Sequence, residues 1–252
     1  MASNNICIQD IESIGIACPG TISNGTIIKA GNLGISNCNL REKLQLNTPI
    51  AIENDGKCAA MAEKTLGSLK SCDDGIFLNI GTGIGGAVFL DGELLKPKAC
   101  SGFEIGHMTI EKEGIECTCG KKGCFERYCS MRVLKERIRE EYGLGQEVHS
   151  LELIEILSNG SEKSNKMLFE YIENLSVGIA NLIDLFEPQA IAIGGSFAYY
   201  ENLFLPRLKE KLFSENATFN GRKDIDLKTA ELKNDAGIIG AVLIWHFPQF
   251  VV

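Results

Sequence analysis

The sequence carries little positive charge for its size. Its 25 lysines and arginines stand against 33 aspartates and glutamates, which gives a formal net charge of −8 over 252 residues. The basic residues are scattered and form no stripe. Generic binding to a nucleic-acid backbone requires a positive footprint of that kind. We therefore expect that the protein does not bind nucleic acid.

Long apolar runs are also missing. No stretch approaches the roughly 20 apolar residues that a helix needs to cross a bilayer. The opening MASNNICIQDIES lacks the apolar core of a signal peptide. We expect a cytoplasmic protein with no membrane association. Because the cytosol keeps thiols reduced, disulfide bonds are a weak explanation for the ten cysteines.

Neither an internal repeat nor a low-complexity linker divides the chain, and short β-rich runs alternate with amphipathic helical stretches. The predicted strands are SIGIACPG (13–20), TIIKAGNLG (26–34), PIAIEND (49–55), GIFLNI (75–80), AVFLDG (87–92), AIAIGGS (190–196) and DIDLKTAEL (224–232). The predicted helices cover 40–46, 56–68, 131–143, 165–188, 202–214 and 235–247. This alternation indicates an α/β protein.

A composition shift near residues 67–75 is the one candidate domain boundary. We expect residues 1–70 to form a first α/β domain, with the C-terminal helix 236–252 as a candidate addition, and residues 71–235 to form a second. Ligands of open α/β sheets gather at the carboxyl ends of strands. The functional residues should therefore lie at such ends.

Three cysteines, Cys117, Cys119 and Cys124, lie close together and begin ten residues after His107. Their spacing, with glycines between them, allows the thiols to converge from one tight turn. Three cysteines and one histidine are a common tetrahedral set for structural zinc. The alternative is a group of buried reduced cysteines, which cores accept freely. The other seven cysteines are scattered as that alternative expects, whereas this cluster favours zinc.

Three glycine motifs could hold an anion through backbone N–H groups. GTGIGG (81–86) stands between two predicted strands, GGS (194–196) follows a strand, and AGIIGA (236–241) opens the last helix. Each motif is a weak signal alone. A tight hairpin turn is the simpler explanation for the first, and close helix packing through small residues for the third.

Asp55 stands at the end of a β-rich run and directly before a helix. It could act as a general base that accepts a proton from a substrate hydroxyl. The alternative is a helix N-cap, a common position for aspartate. Glu104 precedes His107 by three residues, so on a turn or helix start both side chains would point the same way.

Taken in order, IENDGKCAA, LNIGTGIGGAVF, GFEIGHM, CTCGKKGCFE, IAIGGS and DAGIIGA resemble the ROK family of sugar kinases and sugar-responsive repressors, near its bacterial glucokinase branch. The resemblance covers about Ile14 to Ala241. It implies an actin-like, hexokinase-type (ribonuclease H-like) α/β fold of two domains. The sugar would bind in the cleft between them, with ATP and Mg²⁺ against the second domain.

The resemblance also implies roles for individual residues. Asp55 matches the catalytic base. The residues that match sugar-hydroxyl contacts are Asn54, Glu104, His107 and Glu126. The structural zinc would be held by His107, Cys117, Cys119 and Cys124. The phosphate loop would comprise Gly81, Thr82, Gly83, Gly85 and Gly86, and the nucleotide-binding motifs would include Gly194, Gly195 and Gly237.

One feature of such proteins does not match this sequence. They begin with a strand and a DxGGT-type turn that forms a first phosphate loop, but the thirteen residues before Ile14 contain no such motif. Phosphoryl transfer depends mainly on positioning. We therefore expect a truncated first domain, measurable sugar binding and low or absent kinase activity. A bared sheet edge would favour a homodimer.

Two functions follow from these expectations. The first is ATP-dependent phosphorylation of a hexose or amino sugar, and the second is sugar binding or sensing without catalysis. A repressor of this family would need an N-terminal helix-turn-helix, for which the sequence shows no room. The preferred sugar stays open, since the expected polar contacts read hydroxyls that many hexoses share.

Overall fold

The computed structural model describes residues 7, 10–95, 104–214 and 224–247. The strands are β1 (Ile14–Cys18), β2 (Thr21–Ser23), β3 (Thr26–Ala30), β4 (Ile35–Asn39), β5 (Ile50–Asn54), β6 (Gly75–Ile80), β7 (Ile84–Leu90), β8 (Glu93–Leu94), β9 (Ala190–Gly194) and β10 (Asp226–Thr229). The helices are α1 (Leu40–Leu44), α2 (Asp55–Thr65), α3 (Glu126–Cys129), α4 (Met131–Tyr142), α5 (Ser150–Leu157), α6 (Glu162–Phe186), α7 (Glu201–Phe213) and α8 (Ala236–Leu243).

The N-terminal part contains two small sheets. β1 pairs with β5 in parallel, and β2, β3 and β4 form an antiparallel meander. Apolar side chains of both sheets meet in one core that includes Ile22, Ile27 and Ile52. β1, β3 and β5 match predicted strands, whereas the short β2 and the polar β4 were not predicted.

A five-stranded sheet in the order β10-β9-β6-β7-β8 organises the remainder. β10, β9 and β6 are parallel to one another, whereas β7 is antiparallel to β6 and β8 is antiparallel to β7. The apolar faces of α4 to α7 cover this sheet and form the largest core. In α/β sheets of this kind, the carboxyl ends of the parallel strands lie at one edge, where ligands bind.

α6 also positions the segment that follows the cysteine cluster. Phe125, which lies between Cys124 and Glu126, is fully buried against this helix. At Gly178 an added Cβ would lie 2.3 Å from the Phe125 ring, so the helix needs a glycine at this contact. Close packing of this kind holds Glu126 at a defined place relative to the sheet.

α8 packs against α2 and β1 through small residues. An added Cβ at Gly240 would lie 1.7 Å from the Cys58 backbone oxygen, and one at Gly15 would lie 1.7 Å from that of Ala241. Close packing therefore explains Gly240. Gly237 differs, because an added Cβ there meets nothing within 4 Å. The AGIIGA motif thus contains one packing glycine and one open glycine.

α2 lies between the N-terminal strands and the five-stranded sheet. Its residues Ala59 and Met61 share a core with Phe77 of β6, Phe89 of β7 and Ala192 of β9. The N-terminal elements and the larger sheet are therefore packed together, while the expected division at residues 1–70 and 71–235 stays a prediction.

Among the helices of the described residues, none combines the length and apolar character that would let it span a membrane.

Candidate functional site

The junction of β5 and α2 presents one exposed carboxylate, that of Asp55. Asn54 is the N-cap of α2: its side-chain oxygen accepts a hydrogen bond from the Lys57 N–H at 3.2 Å, and its Nδ2 donates to the Gly20 oxygen at 2.9 Å. Asp55 is the first residue of the helix and is exposed. Its Oδ1 accepts from the adjacent Gly56 N–H at 2.9 Å. The N-cap explanation offered for Asp55 is therefore wrong, since Asn54 caps the helix.

Asn79 connects this junction to the neighbouring strand ends. It lies near the end of β6, where it pairs with Gly194 of β9. A Cβ at Gly56 would lie 4.0 Å from Asn79 Nδ2, and a Cβ at Gly195 would lie 2.6 Å from Asn79 Oδ1. Gly195 also has φ of +72°, a conformation that favours glycine. The ends of β5, β6 and β9 thus converge around the side-chain amide of Asn79. In the sequence, Asn79 stands out only as a polar residue within an apolar strand.

The glycine-rich turn between β6 and β7 is shorter than predicted. Gly81 N–H donates to the Gly83 oxygen at 2.9 Å, which closes a turn over Gly81, Thr82 and Gly83. Gly85 and Gly86 belong to β7, where they pair with Asn79 and Leu78 of β6. Added Cβ atoms at Gly81 and Gly85 would meet nothing within 4 Å, and Thr82 is exposed. The backbone on this side is open to a ligand.

Glu126 and Arg132 hold this turn from the helical side. Glu126 Oε2 accepts a hydrogen bond from the Ile84 N–H at 2.8 Å, and a Cβ at Gly83 would lie 2.3 Å from the same oxygen. Arg132 Nε donates to the Thr82 oxygen at 3.2 Å, and its backbone N–H donates to the Gly81 oxygen at 3.4 Å. One carboxylate and one guanidinium thus fix the turn, a function of Glu126 that sequence reasoning missed.

Glu104 and His107 approach the same hairpin. Glu104 is exposed and precedes a short 3₁₀ turn, Ile105–His107, which packs against β7. A Cβ at Gly106 would lie 2.1 Å from the Ile84 oxygen, so this contact requires glycine. The segment that carries Glu104 and His107 therefore rests directly on the strand that follows the glycine turn.

The four predicted metal ligands come together. One ligand atom from each of His107, Cys117, Cys119 and Cys124 lies within 4.8 Å of all the others. Cys117 Sγ is 3.5 Å from His107 Nδ1, and Cys119 Sγ is 3.6 Å from Cys124 Sγ. In a tetrahedral zinc site with ordinary bond lengths, these edges would measure about 3.6 Å and about 3.8 Å. The residues present therefore fit a zinc ion.

The backbone of this loop turns tightly and brings the thiols together. Glycines with positive φ at Gly120 and Gly123 turn the chain, and at Gly123 a Cβ would lie 1.6 Å from the Glu111 oxygen. A hydrogen bond from the Lys121 backbone lowers the pKa of Cys119, whereas burial raises the pKa of Cys124 to about 12. Since zinc binds thiolates, its binding would release protons from this cluster.

The remaining histidines lie outside the cluster. His149 caps α5, where its Nδ1 accepts from the Leu151 N–H at 3.3 Å, and His246 is exposed at the end of the 3₁₀ turn after α8. The cysteines in the described part of the chain are free thiols. Of these, Cys18, Cys38, Cys58, Cys72 and Cys129 are buried separately from the cluster.

Comparison with solved structures defines the class of fold. A ROK family glucokinase from Streptomyces griseus, in complex with glucose and AMPPNP, superposes with a TM-score of 0.79 at 26% identity. The match covers 92% of this chain and 80% of that one. The fold is therefore the actin-like, hexokinase-type α/β fold.

The family follows from the sequence comparisons. Residues 4–247 match the ROK family, and the chain belongs to it. It is 35% identical to a beta-glucoside kinase of Listeria monocytogenes in an alignment of 246 positions that covers 95% of this chain and 80% of that protein. It is also 29% identical to a xylose repressor of Caldicellulosiruptor bescii in an alignment of 262 positions, gaps included, that covers 96% of this chain and 65% of the repressor. Its relatives thus include sugar kinases and repressors.

Proposed function

We propose that the protein is an ATP-dependent kinase of a hexose or amino sugar. The observation that carries this proposal is the exposed carboxylate of Asp55 at the carboxyl end of β5. Asn54 makes the capping interaction, so the neighbouring carboxylate stays exposed beside the strand ends of the larger sheet. The kinases among its relatives support the same reaction class.

Asp55 serves as the general base in this proposal. A sugar hydroxyl donates its proton to the carboxylate while its oxygen attacks the phosphorus in line. The position of Asp55 at the start of a helix matters, because transfer depends on holding the reacting oxygen and phosphorus in a defined geometry. α2 supplies that fixed position through its packing on the larger sheet.

The glycine motifs form the nucleotide side of the site. The open backbone of Gly81, Thr82 and Gly83 and the neighbouring Gly85 would receive phosphate oxygens, with Gly86 supporting them in β7. Gly194, Gly195 and Gly237 would line the remainder of the nucleotide site. When bound, ATP supplies the transferred phosphoryl group and Mg²⁺ neutralises its charge. The open faces of Gly81, Gly85 and Gly237 leave space for such a ligand.

The sugar side combines residues of two segments. Asn54 and Asp55 would meet the sugar from the start of α2, and Glu104, His107 and Glu126 would meet it from the zinc loop, the segment 104–126. His107 directs Nδ1 toward the thiols, which leaves Nε2, on the opposite side of the ring, for a sugar hydroxyl. Zinc would thus have a structural role, because it fixes the ring that contacts the substrate.

A coupled assay for ADP release with glucose and Mg·ATP tests the kinase proposal directly. Calorimetric titration with glucose should be run on the same preparation. The expected result is slow sugar-dependent ADP release, which would support a kinase. Glucose binding without ADP release, across a panel of hexoses and amino sugars, would contradict it.

Sugar sensing without catalysis is the second candidate function. The xylose repressor among the relatives favours it, and this chain spans 65% of the length of that repressor. It predicts sugar affinity that is unchanged when Asp55 is replaced by asparagine and that is independent of ATP. We also propose a cytoplasmic location. We further propose a homodimer, and gel filtration with light scattering would test that oligomeric state.

A further inference from the structure

A second carboxylate in α2 has no part in the chemistry described above. Glu63 is completely buried, eight residues after Asp55 on the same helix. Burying an ionised carboxylate is costly unless hydrogen bonds replace its water. Four donors do so: the Ser68 N–H at 2.8 Å, the Ser68 hydroxyl at 2.7 Å, the Glu231 N–H at 3.2 Å and the Leu232 N–H at 2.7 Å.

These donors belong to two chain segments with one property in common. Ser68 lies in the connection between α2 and β6, and Glu231 and Leu232 lie in the connection between β10 and α8. α2 and α8 pack with the N-terminal strands, whereas β6 and β10 belong to the five-stranded sheet. In the described chain, the backbone passes between these two groups of elements at these two connections. Glu63 therefore joins both connections through a single carboxylate.

Gly67 shows how closely the first connection is fitted to this carboxylate. A Cβ there would lie 2.2 Å from Glu63 Oε2 and 3.1 Å from the Glu63 Cα. The Glu63 backbone oxygen also accepts from the N–H groups of Gly67 at 3.2 Å and Leu69 at 3.0 Å. The connection thus folds back onto the end of α2, and its backbone conformation depends on the carboxylate.

We propose that Glu63 is a positioning residue for phosphoryl transfer: by joining the two connections, it sets the orientation of α2, and hence of Asp55, relative to the glycine turns. This inference rests on the proposed kinase function. Glu63 lies about 12 Å along the helix axis from Asp55 at 1.5 Å per residue. A small tilt at the Glu63 end therefore displaces Asp55, and a misplacement of about 1 Å can cost roughly 10²-fold in rate.

Glu63→Gln is the main test. The amide keeps the volume but replaces one acceptor oxygen with a donor, so it leaves either the Leu232 N–H or the N–H groups of Ser68 and Glu231 without an acceptor. Gly67→Ala is the second variant, because it keeps the carboxylate but forces it out of place. Tyr171→Phe is the matched control: it removes a buried hydrogen bond, from the Tyr171 hydroxyl to the Cys129 oxygen at 3.0 Å, far from both connections.

We expect Glu63→Gln and Gly67→Ala each to lower kcat about 10–10²-fold, with glucose Kd changed by less than about fivefold. Tyr171→Phe should lower the unfolding temperature without changing kcat. All rates are measured well below the unfolding temperature of each variant. Wild-type kcat in both Glu63→Gln and Gly67→Ala would overturn the proposal, as would a kcat loss in Tyr171→Phe that matches theirs at equal destabilisation.

Native-state hydrogen exchange separates this inference from the kinase proposal. If the wild type shows no turnover, the kinase proposal fails, but Glu63→Gln should still speed exchange at α2 and at the N–H groups of Ser68, Glu231 and Leu232 relative to Tyr171→Phe. Unchanged exchange in Glu63→Gln would overturn the positioning role. Aggregation of both Glu63→Gln and Gly67→Ala would assign Glu63 to folding alone and would also overturn it.

Discussion

Replacing Asp55 with asparagine should separate catalysis from helix stability. The amide keeps the shape of the side chain but accepts a proton far less readily, so we expect kcat to fall about 10²–10⁴-fold, the usual contribution of a general base. Stability should change little, because Asn54 caps the helix. The loss is limited to the interaction of an exposed charge with the helix dipole, about 0.3–1 kcal/mol.

Asn54→Ala serves as the comparison for stability. It removes an N-cap, which costs about 1 kcal/mol, and the hydrogen bond to the Gly20 oxygen, which costs about 1 kcal/mol more. For a chain of this size, about 2 kcal/mol corresponds to a decrease of roughly 4–8 °C in the unfolding temperature. Asp55→Asn should lower that temperature by less than about 4 °C.

Both variants are measured by ADP-coupled kinetics at saturating sugar and by thermal unfolding followed with circular dichroism. The reasoning fails if Asp55→Asn keeps near-parental turnover but unfolds at a much lower temperature. That result would make Asp55 a structural residue. Calorimetry with glucose completes the comparison, since the sugar affinity of Asp55→Asn should stay within about tenfold of the parent if the residue acts mainly on the proton.

Two further predictions concern the zinc cluster and the last helix. Elemental analysis of protein prepared without chelator should give one zinc per chain, and removing it should lower both the unfolding temperature and glucose affinity; metal-free protein with unchanged glucose binding would contradict this. Gly240→Ala should destabilise by about 1–3 kcal/mol in thermal unfolding, because its Cβ would meet the Cys58 oxygen at 1.7 Å. Gly237→Ala, which faces open space, should be neutral or stabilising by up to about 1 kcal/mol but should weaken ATP binding. Equal stability of the two alanine variants would refute the distinction between packing and open glycines.

Strong local patterns predicted most of the regular structure. The apolar spacing before Pro188 gave α6, and the apolar runs that end in glycine or asparagine gave β5, β6 and β9. α5, SLELIEIL, was missed although its buried residues Leu153, Ile154 and Leu157 have helical spacing. β4 has a weak pattern, because it reads ISNCN and buries only Cys38. Tertiary pairing, rather than intrinsic preference, determines such segments.

The glycine-rich stretch shows a different limit of sequence reasoning. Six residues, Gly81–Gly86, were predicted as one turn, but Gly85 and Gly86 lie in β7. Glycine permits both a turn and a strand that is closely approached by other atoms. At Gly86 an added Cβ would lie 2.6 Å from the Phe77 oxygen and 2.8 Å from Ile105 Cδ1. The sequence does not show that Gly86 is required by close packing, because Ile105 belongs to a segment that lies far away along the chain.

Ile84 shows why the zinc loop and the glycine turn should respond together. Its N–H donates to Glu126, which follows the cysteine cluster, and its oxygen lies against Gly106, which precedes it. Both backbone groups of one strand residue therefore contact the segment that zinc would fix. Because Ile84 is the first residue after the turn, a displacement of this segment would change the turn itself. Loss of zinc should consequently weaken nucleotide binding as well as sugar binding, whereas a purely local metal site would affect only the sugar side.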